Sequence, residues 1–248
     1  MTEVQTWILL AVGGLVAGIV NTLAGGGSLL TVPLLVFVGL PATVANGTNR
    51  IGVLFQNAVS AWRFRRGGLN GMTEAIPVLI PVLIGSTLGA LIASRMSAEV
   101  FRQVFGVAMI ALLYPMLRRR PAAPPAADAA PRSRLLNGAI FFAIGLYGGA
   151  LQAGVGLFLI AALARSGIDL VRANAIKVIV IGALTLVAVP VFILHDQVDW
   201  VPASALVVGF ALGGELGARA ALKGGEALIR PVLVVAVLAM AGRMLGLY

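Results

Sequence analysis

Several residue types on which protein chemistry often depends are scarce or absent in this chain. Its 248 residues include no cysteine and a single histidine, His195. The lack of cysteine excludes disulfides, iron–sulfur clusters and thiol catalysis, and a lone histidine excludes a multi-histidine metal site. The sequence therefore predicts neither a bound metal nor a cofactor.

Charged residues are also few. They make up 11% of the chain, against about a quarter in ordinary soluble domains, whereas hydrophobic residues make up 60%. The apolar stretches are rich in Leu, Val, Ala and Gly, and they lack the alternation of roughly ten-residue barrel strands. This composition predicts an all-α integral membrane protein that crosses the bilayer several times and has no separate soluble domain.

The net charge is +9, but the basic residues are spread singly or in small clusters between apolar runs. This is the positive-inside pattern of membrane proteins and not a nucleic-acid-binding stripe. We therefore expect a multi-pass protein in the lipid bilayer, and we expect no nucleic-acid partner. The first apolar stretch, 7–20, lacks a basic segment before it and runs into further spans, so we interpret it as a first helix and not as a cleaved signal.

Ten apolar segments, bounded by Gly, Pro or charged residues, form two sets of five. We expect helices of the first set at 7–23, 28–44, 47–62, 74–94 and 100–117. Those of the second set are expected at 135–153, 156–164, 173–194, 201–222 and 231–247. The proline- and arginine-rich stretch 118–134 between them is typical of a semi-rigid linker. The predicted organisation is a first transmembrane repeat at 1–117, a cytoplasmic linker at 118–134 and a second repeat at 135–248.

The two sets are related in sequence, with the matches in the same order and at a nearly constant offset. The matched pairs include Gly14 with Gly145, Gly18 with Gly149, Asn21 with Gln152, Asn46 with Asn174, and Asn49 with Lys177. Both halves also carry a glycine-rich stretch after the first motif, at 25–27 and at 154–156. Because five is an odd number of segments, the second half is expected to enter the membrane from the opposite side, as an inverted repeat.

The charges orient such a repeat. If the linker is cytoplasmic, the arginine-rich turn at 63–66 is cytoplasmic too, and so is the turn with Arg219 and Lys223. The turn at 195–199 has no Lys or Arg and is expected outside. The turn with Arg95 and Arg102 would also lie outside, mildly against the rule.

Three consecutive glycines before Ser28 interrupt a helix at membrane depth and leave backbone groups that need partners. Broken helices in transporters direct backbone amides and the positive end of a helix dipole toward an anionic substrate. The stretch at 154–156 is the corresponding break in the second half. We therefore expect an anion site formed by Gly26, Gly27 and Ser28, with Gly154 and Gly156 opposite. The alternative is a tight turn on the solvent side.

Polar side chains within the apolar segments are further candidates, because amides and charges inside a span usually face a cavity or a partner. Side-chain donors to the anion are expected from Asn21, Asn46, Asn49, Gln152, Asn174 and Lys177. For Lys177 the alternative is snorkelling to the interface, and the same holds for Arg50.

Glu215 lies mid-segment between glycines and is a candidate proton carrier, with a structural ion pair as the alternative. Glycines spaced four apart, such as Gly85 and Gly89, are expected to serve helix packing only.

The motifs at 21–28 and 45–49, with their echo at 173–177, resemble those of the TauE/SafE family, also called toluene sulfonate uptake permeases. The likeness covers nearly the whole chain. It implies a permease of the bacterial inner membrane that moves sulfur-containing anions such as sulfite or organosulfonates.

The expected function is therefore secondary transport of a small anion, and an anion channel is the main alternative. A membrane enzyme is disfavoured by the absence of cysteine, the lone histidine and the lack of clustered carboxylates. No P-loop sequence is present, which disfavours a built-in ATP-driven pump. Coupling to protons or sodium, and assembly into an oligomer, stay open.

Overall fold

The computed structural model describes residues 2–117, 133–165 and 167–223, with side chains in α5 described as far as Leu112. These residues form helices and no strand, as the composition predicts. In chain order the helices are α1 (Glu3–Ala24), α2 (Ser28–Phe37), α3 (Ala42–Arg66), α4 (Met72–Ser94), α5 (Ala98–Leu117), α6 (Arg134–Ala150), α7 (Val155–Ala164), α8 (Leu170–Leu194) and α9 (Trp200–Leu222).

The boundary expected between the second and third segments was wrong. α2 ends at Phe37 and α3 begins at Ala42, so the segment predicted at 28–44 is two elements. Gly39 takes a φ of 107°, and Pro41 is the extended residue before α3; a left-handed glycine followed by proline ends a helix. The surrounding apolar residues hide this turn from hydropathy. The segment expected at 231–247 and linker residues 118–132 lie outside the described residues.

Within the described residues, four helices are long and apolar enough to cross a membrane: α1, α4, α8 and α9. The outward face of α4 shows the surface that meets lipid. Exposed apolar residues recur there every four positions, at Ile76, Ile80, Ile84, Leu88 and Ile92. A continuous apolar stripe of this length is unusual on a soluble protein and matches a helix in contact with acyl chains.

α3 is 25 residues long but far more polar than the others. Its polar side chains are nevertheless buried: Asn46, Thr48, Asn49, Arg50, Gln56, Asn57 and Ser60. The helix packs against α2, α8 and α9. Because its polar groups meet other helices and not lipid, α3 can carry them inside the bundle.

α1, α3 and α9 run in the same direction. Near the start of α1, Trp7 Nε1 donates to Ser204 Oγ at 3.4 Å, and two turns before the end of α1 the backbones of Gly18 and Gly213 lie in close contact. α3 lies parallel to them, with Asn21 bonded to Gln56.

α4, α6 and α8 form a second parallel group. The contacts that set their direction are Gly85–Phe142 and Gly89–Leu146 for α4 with α6, and Glu74–Arg172 and Ser86–Leu184 for α4 with α8. The two groups are antiparallel to each other where α3 meets α8, since Gly47 lies against Phe192 and Asn57 against Gly182.

Glycine seams hold α1 to α9 and α4 to α6. A Cβ added to Gly149 would overlap the carbonyl of Ser86, and one added to Gly213 would overlap the backbone of α1. Only glycine permits so close an approach of two helix backbones. The prediction that these paired glycines serve helix packing is confirmed.

Gly149→Ala is expected to lower the thermal stability of the purified protein in detergent. The new methyl group has to displace the backbone of α4, and overpacking of this kind costs about 1–3 kcal/mol. Gly138→Ala is the matched control, because it lies on the same helix and its added Cβ meets nothing within 4 Å. It should be neutral or stabilising by up to about 1 kcal/mol. Equal melting temperatures for the two variants would contradict the seam.

Candidate functional site

The first helix break joins α1 to α2. Gly25 takes a left-handed conformation with φ 79°, and its N–H bonds to the carbonyls of Val20 and Asn21. This conformation, which glycine adopts readily, ends α1 and reverses the chain. α2 then runs back along α1, with Gly27 packed against the carbonyl of Ala17. The two helices therefore form a hairpin.

The turn of this hairpin lies inside the bundle. Asn21 Nδ2 donates to Gln56 Oε1 at 2.5 Å, and α3 continues beyond Gln56 to Arg66, which is roughly 15 Å further at 1.5 Å per residue. Gly25, Gly26 and Gly27 are all buried. A tight turn on the solvent side, the alternative drawn from sequence, does not describe this geometry.

The second break joins α6 to α7. Gln152 and Gly154 have φ values of 62° and 65°, and α7 starts at Val155. A left-handed conformation is uncommon for a residue other than glycine. Gln152 is fixed in it by its side chain, which accepts from Arg50 Nη1 at 2.8 Å and donates to Thr185 Oγ1 at 2.9 Å.

The two breaks meet. A Cβ added to Gly25 would lie 2.5 Å from the Cα of Gly156, and one added to Gly156 would lie 2.5 Å from the Cα of Gly25. The backbones are thus in direct contact, three residues before the start of α2 at Ser28 and one residue after the start of α7 at Val155.

At the first break the predicted polar residues form one cluster. Gly27 N–H donates to Asn21 Oδ1 at 3.3 Å, and Asn49 Nδ2 donates to Ser28 Oγ at 2.9 Å. Thr31 Oγ1 donates to Asn49 Oδ1 at 2.5 Å. In this conformation Asn21 and Asn49 bind and orient the first turn of α2.

At the second break a guanidinium caps the end of α6. Arg50 donates from Nη1 to the carbonyl of Gly148 at 3.2 Å, and from Nη2 to those of Gly149 at 2.5 Å and Ala150 at 3.2 Å. Asn46 Nδ2 also donates to the Ala150 carbonyl, at 3.0 Å. The positive charge of Arg50 therefore lies at the negative end of the α6 dipole.

Lys177 does the same for α1. Its Nζ donates to the carbonyl of Thr22 at 2.6 Å, to that of Asn21 at 3.1 Å and to Asn174 Oδ1 at 2.6 Å. The side chain is fully buried, so snorkelling to the interface does not apply. Its Cδ also lies beside Gly156 at the start of α7, so Lys177 lies close to both breaks.

Backbone donors are unpaired at the starts of both short helices. Among the described residues, the N–H groups of Gly26, Ser28, Val155 and Gly156 form no hydrogen bond. These groups carry the positive ends of the α2 and α7 dipoles.

Glu215 lies apart from this cluster, toward the ends of α3 and α9 that carry Arg63 and Arg219. Its Oε1 is 3.5 Å from Arg63 Nε and 2.7 Å from Arg219 Nη2. This is the geometry of the structural ion pair, the alternative to a proton carrier.

Glu215→Gln is therefore expected to preserve gradient-driven uptake in proteoliposomes. The ion pairs are partly exposed, so the free energy of unfolding should change by no more than about 1 kcal/mol. Uptake under an imposed proton gradient, with the amount of inserted protein measured alongside, checks this. Lost accumulation with intact substrate exchange would instead support a coupling proton on Glu215.

Sequence reasoning left Arg50 open between a functional role and snorkelling, and it missed Thr31 and Thr185. Threonine at these positions carries no spacing signal. For Arg50 a signal existed, since a basic residue beside Asn49 in the middle of a segment needs acceptors nearby.

Interrupted helices that meet at a buried polar centre, within a multi-span bundle, are typical of membrane transporters. The model of the family described as sulfite exporter TauE/SafE matches residues 10–244. The chain belongs to the TauE/SafE family, which is a family of transporters and not of enzymes.

Curated relatives agree with this class. The chain is 28% identical to a "probable membrane transporter protein ORF9" of Sinorhizobium sp over 96% of this chain and 91% of that protein. It is also 28% identical to a "probable membrane transporter protein" of Haemophilus influenzae, over 93% of this chain and 91% of that one. The "probable membrane transporter protein YfcA" of Escherichia coli K12 is 28% identical over 93% of this chain and 86% of its own. No solved structure matches the chain.

Proposed function

We propose that this protein is a secondary transporter of a small sulfur-containing oxyanion, such as sulfite or an organosulfonate, across the bacterial inner membrane. The observation that carries the proposal is the meeting of two helix breaks, each followed by a helix start with unpaired backbone N–H groups, beside Lys177. The anion binds these N–H groups, chiefly at Gly26, Ser28 and Gly156.

The local charge favours an anion. A helix terminus is equivalent to roughly half an elementary charge, positive at the N-terminus and negative at the C-terminus. The starts of α2 and α7 therefore oppose the ends of α1 and α6, and the four helix ends nearly cancel. Lys177 and Arg50 then leave the centre with a net charge of roughly +2, which an anion reduces.

The donor set favours a fully ionised oxyanion. The unpaired backbone N–H groups donate hydrogen bonds, the charge of Lys177 attracts an anion, and a sulfonate has three oxygens that accept such bonds. The family description names a sulfite exporter, which supports sulfur oxyanions as the class to test first.

The contact between Gly25 and Gly156 favours a carrier over a channel. A channel needs a continuous path, whereas backbone contact at the break leaves no room for an ion at that point. Binding therefore requires the two breaks to separate at Gly25 and Gly156, as expected for alternating access.

The charge distribution supports the proposed orientation. The end of the bundle where α3 finishes is strongly basic, with Arg63, Arg65, Arg66, Arg134, Arg165, Arg172, Arg219 and Lys223. Among the described residues the opposite end has two basic residues, Arg95 and Arg102. Acidic residues occur at both ends: Glu3, Glu99, Asp196 and Asp199 at this one, and Glu74, Asp169 and Glu215 at the basic one. By the positive-inside rule the basic end faces the cytoplasm. The antiparallel course of α3 and α8, which occupy matching places in the two halves, supports an inverted repeat.

This orientation is testable by thiol labelling, because the chain has no cysteine of its own. Asn70→Cys and Ala126→Cys should be protected from a membrane-impermeant maleimide in intact cells and should react after permeabilisation. Asp196→Cys should react in both cases. Labelling of Ala126→Cys and Asp196→Cys from the same side would overturn the inverted repeat.

The anion site is tested by binding. Purified protein is first titrated with sulfite, sulfate, thiosulfate and simple alkanesulfonates. Two variants should then bind the anion more weakly. Gly26→Val fills the space through which the anion approaches the backbone, and Asn49→Leu removes the hydrogen bond that holds Ser28. Loss of one charged hydrogen bond costs about 1.5–3 kcal/mol, so the dissociation constant should rise roughly ten- to a hundred-fold.

Gly138→Val and Asn137→Leu are the controls, since both lie on the outer turns of α6, away from the breaks. Melting temperatures separate weakened binding from failed folding. Wild-type affinity in both site variants would place the anion elsewhere.

A further inference from the structure

The carbonyl ends of broken helices have a known use in transporters: they bind the coupling cation, commonly sodium, beside the substrate. In this chain the corresponding ends are those of α1, at Ala24, and of α6, at Ala150. Both lie inside the bundle next to buried residues, and a basic side chain of the chain itself lies against each.

The surroundings of Lys177 are those of a small bound cation. Three oxygens lie within 3.1 Å of Nζ, two from backbone carbonyls at the end of α1 and one from Asn174. Carbonyl and amide oxygens are also the ligands that hard cations take in proteins. A compact ammonium is the side-chain group closest to such an ion in charge and size.

Arg50 occupies the matching place at α6. Four oxygens lie within 3.2 Å of its terminal nitrogens, three from backbone carbonyls and one from Gln152. No carboxylate among the described residues forms an ion pair with Arg50. Its charge is therefore balanced by a helix end, as that of a bound cation would be.

We propose that Lys177 and Arg50 are tethered cations that take the places of coupling ions at the ends of α1 and α6, so that these breaks need no sodium. The inference rests on the proposed function, because it makes Lys177 and Arg50 the fixed positive charges that oppose the proposed anion. A cation fixed by a covalent bond cannot dissociate, so a sodium gradient does no work at these two positions.

The test uses thermal unfolding in detergent, without any sulfur anion, in chloride salts of choline, sodium and methylammonium at equal ionic strength. The unaltered protein should melt at the same temperature in sodium and in choline. Lys177→Ala should melt several degrees lower in choline and regain most of that loss in methylammonium or sodium, since a ligand that binds only the folded state stabilises it.

Two variants are the controls. Lys177→Arg keeps the tethered charge and should show no response to the choice of cation. Lys223→Ala removes an exposed lysine at the end of α9 and should melt like the unaltered protein in all three salts.

Sodium-specific stabilisation of the unaltered protein would overturn the proposal, and this measurement needs no variant. The proposal would also be overturned if Lys177→Ala melts at the normal temperature in choline. The same holds if neither sodium nor methylammonium restores its melting temperature, or if the variant cannot be isolated in methylammonium. Because no substrate is present, these outcomes are independent of the anion titrations that test the proposed function.

Discussion

The buried carbonyl ends of α1 and α6 are the constraint on which the rest of this structure depends. The last turn of a helix leaves carbonyls without intrahelical partners, and away from water each unsatisfied group costs several kcal/mol. Arg50 and Lys177 supply the donors. Their own burial is offset by the aligned carbonyls, because a charge is tolerated inside only where it is well paired. α3 must therefore carry an arginine at membrane depth, and it can do so only at the centre of the bundle.

Each half of the chain completes the break of the other. Arg50 belongs to the first half and caps α6, while Lys177 belongs to the second half and caps α1. The glycine seams are exchanged in the same way, since α1 packs on α9 and α6 on α4. Because the two predicted repeats, 1–117 and 135–248, exchange contacts in this way, neither is expected to fold alone.

The sequence predicted the local features of this structure better than its long-range contacts. Apolar runs predicted the helices, and glycine runs predicted the breaks, because both are local properties of the chain. The partner of Lys177 is Thr22, 155 residues away, and no periodicity encodes such a pairing. Matching the halves residue by residue set Asn49 against Lys177 and left Arg50 without a counterpart. In the structure the counterpart of Lys177 is Arg50, because each of these basic side chains caps the end of one interrupted helix.

The same contacts indicate where the molecule opens. The ends of α1 and α6 are held by several charged hydrogen bonds each, and separating them would expose buried charge as well as carbonyls. Gly25 and Gly156 touch only through backbone van der Waals contact, and each such atom pair contributes about 0.1–0.2 kcal/mol. Separation of Gly25 from Gly156 would therefore break no hydrogen bond between the two breaks. It would expose the unpaired N–H groups to the proposed anion while both helix ends stay capped, so that the positive charge stays in place.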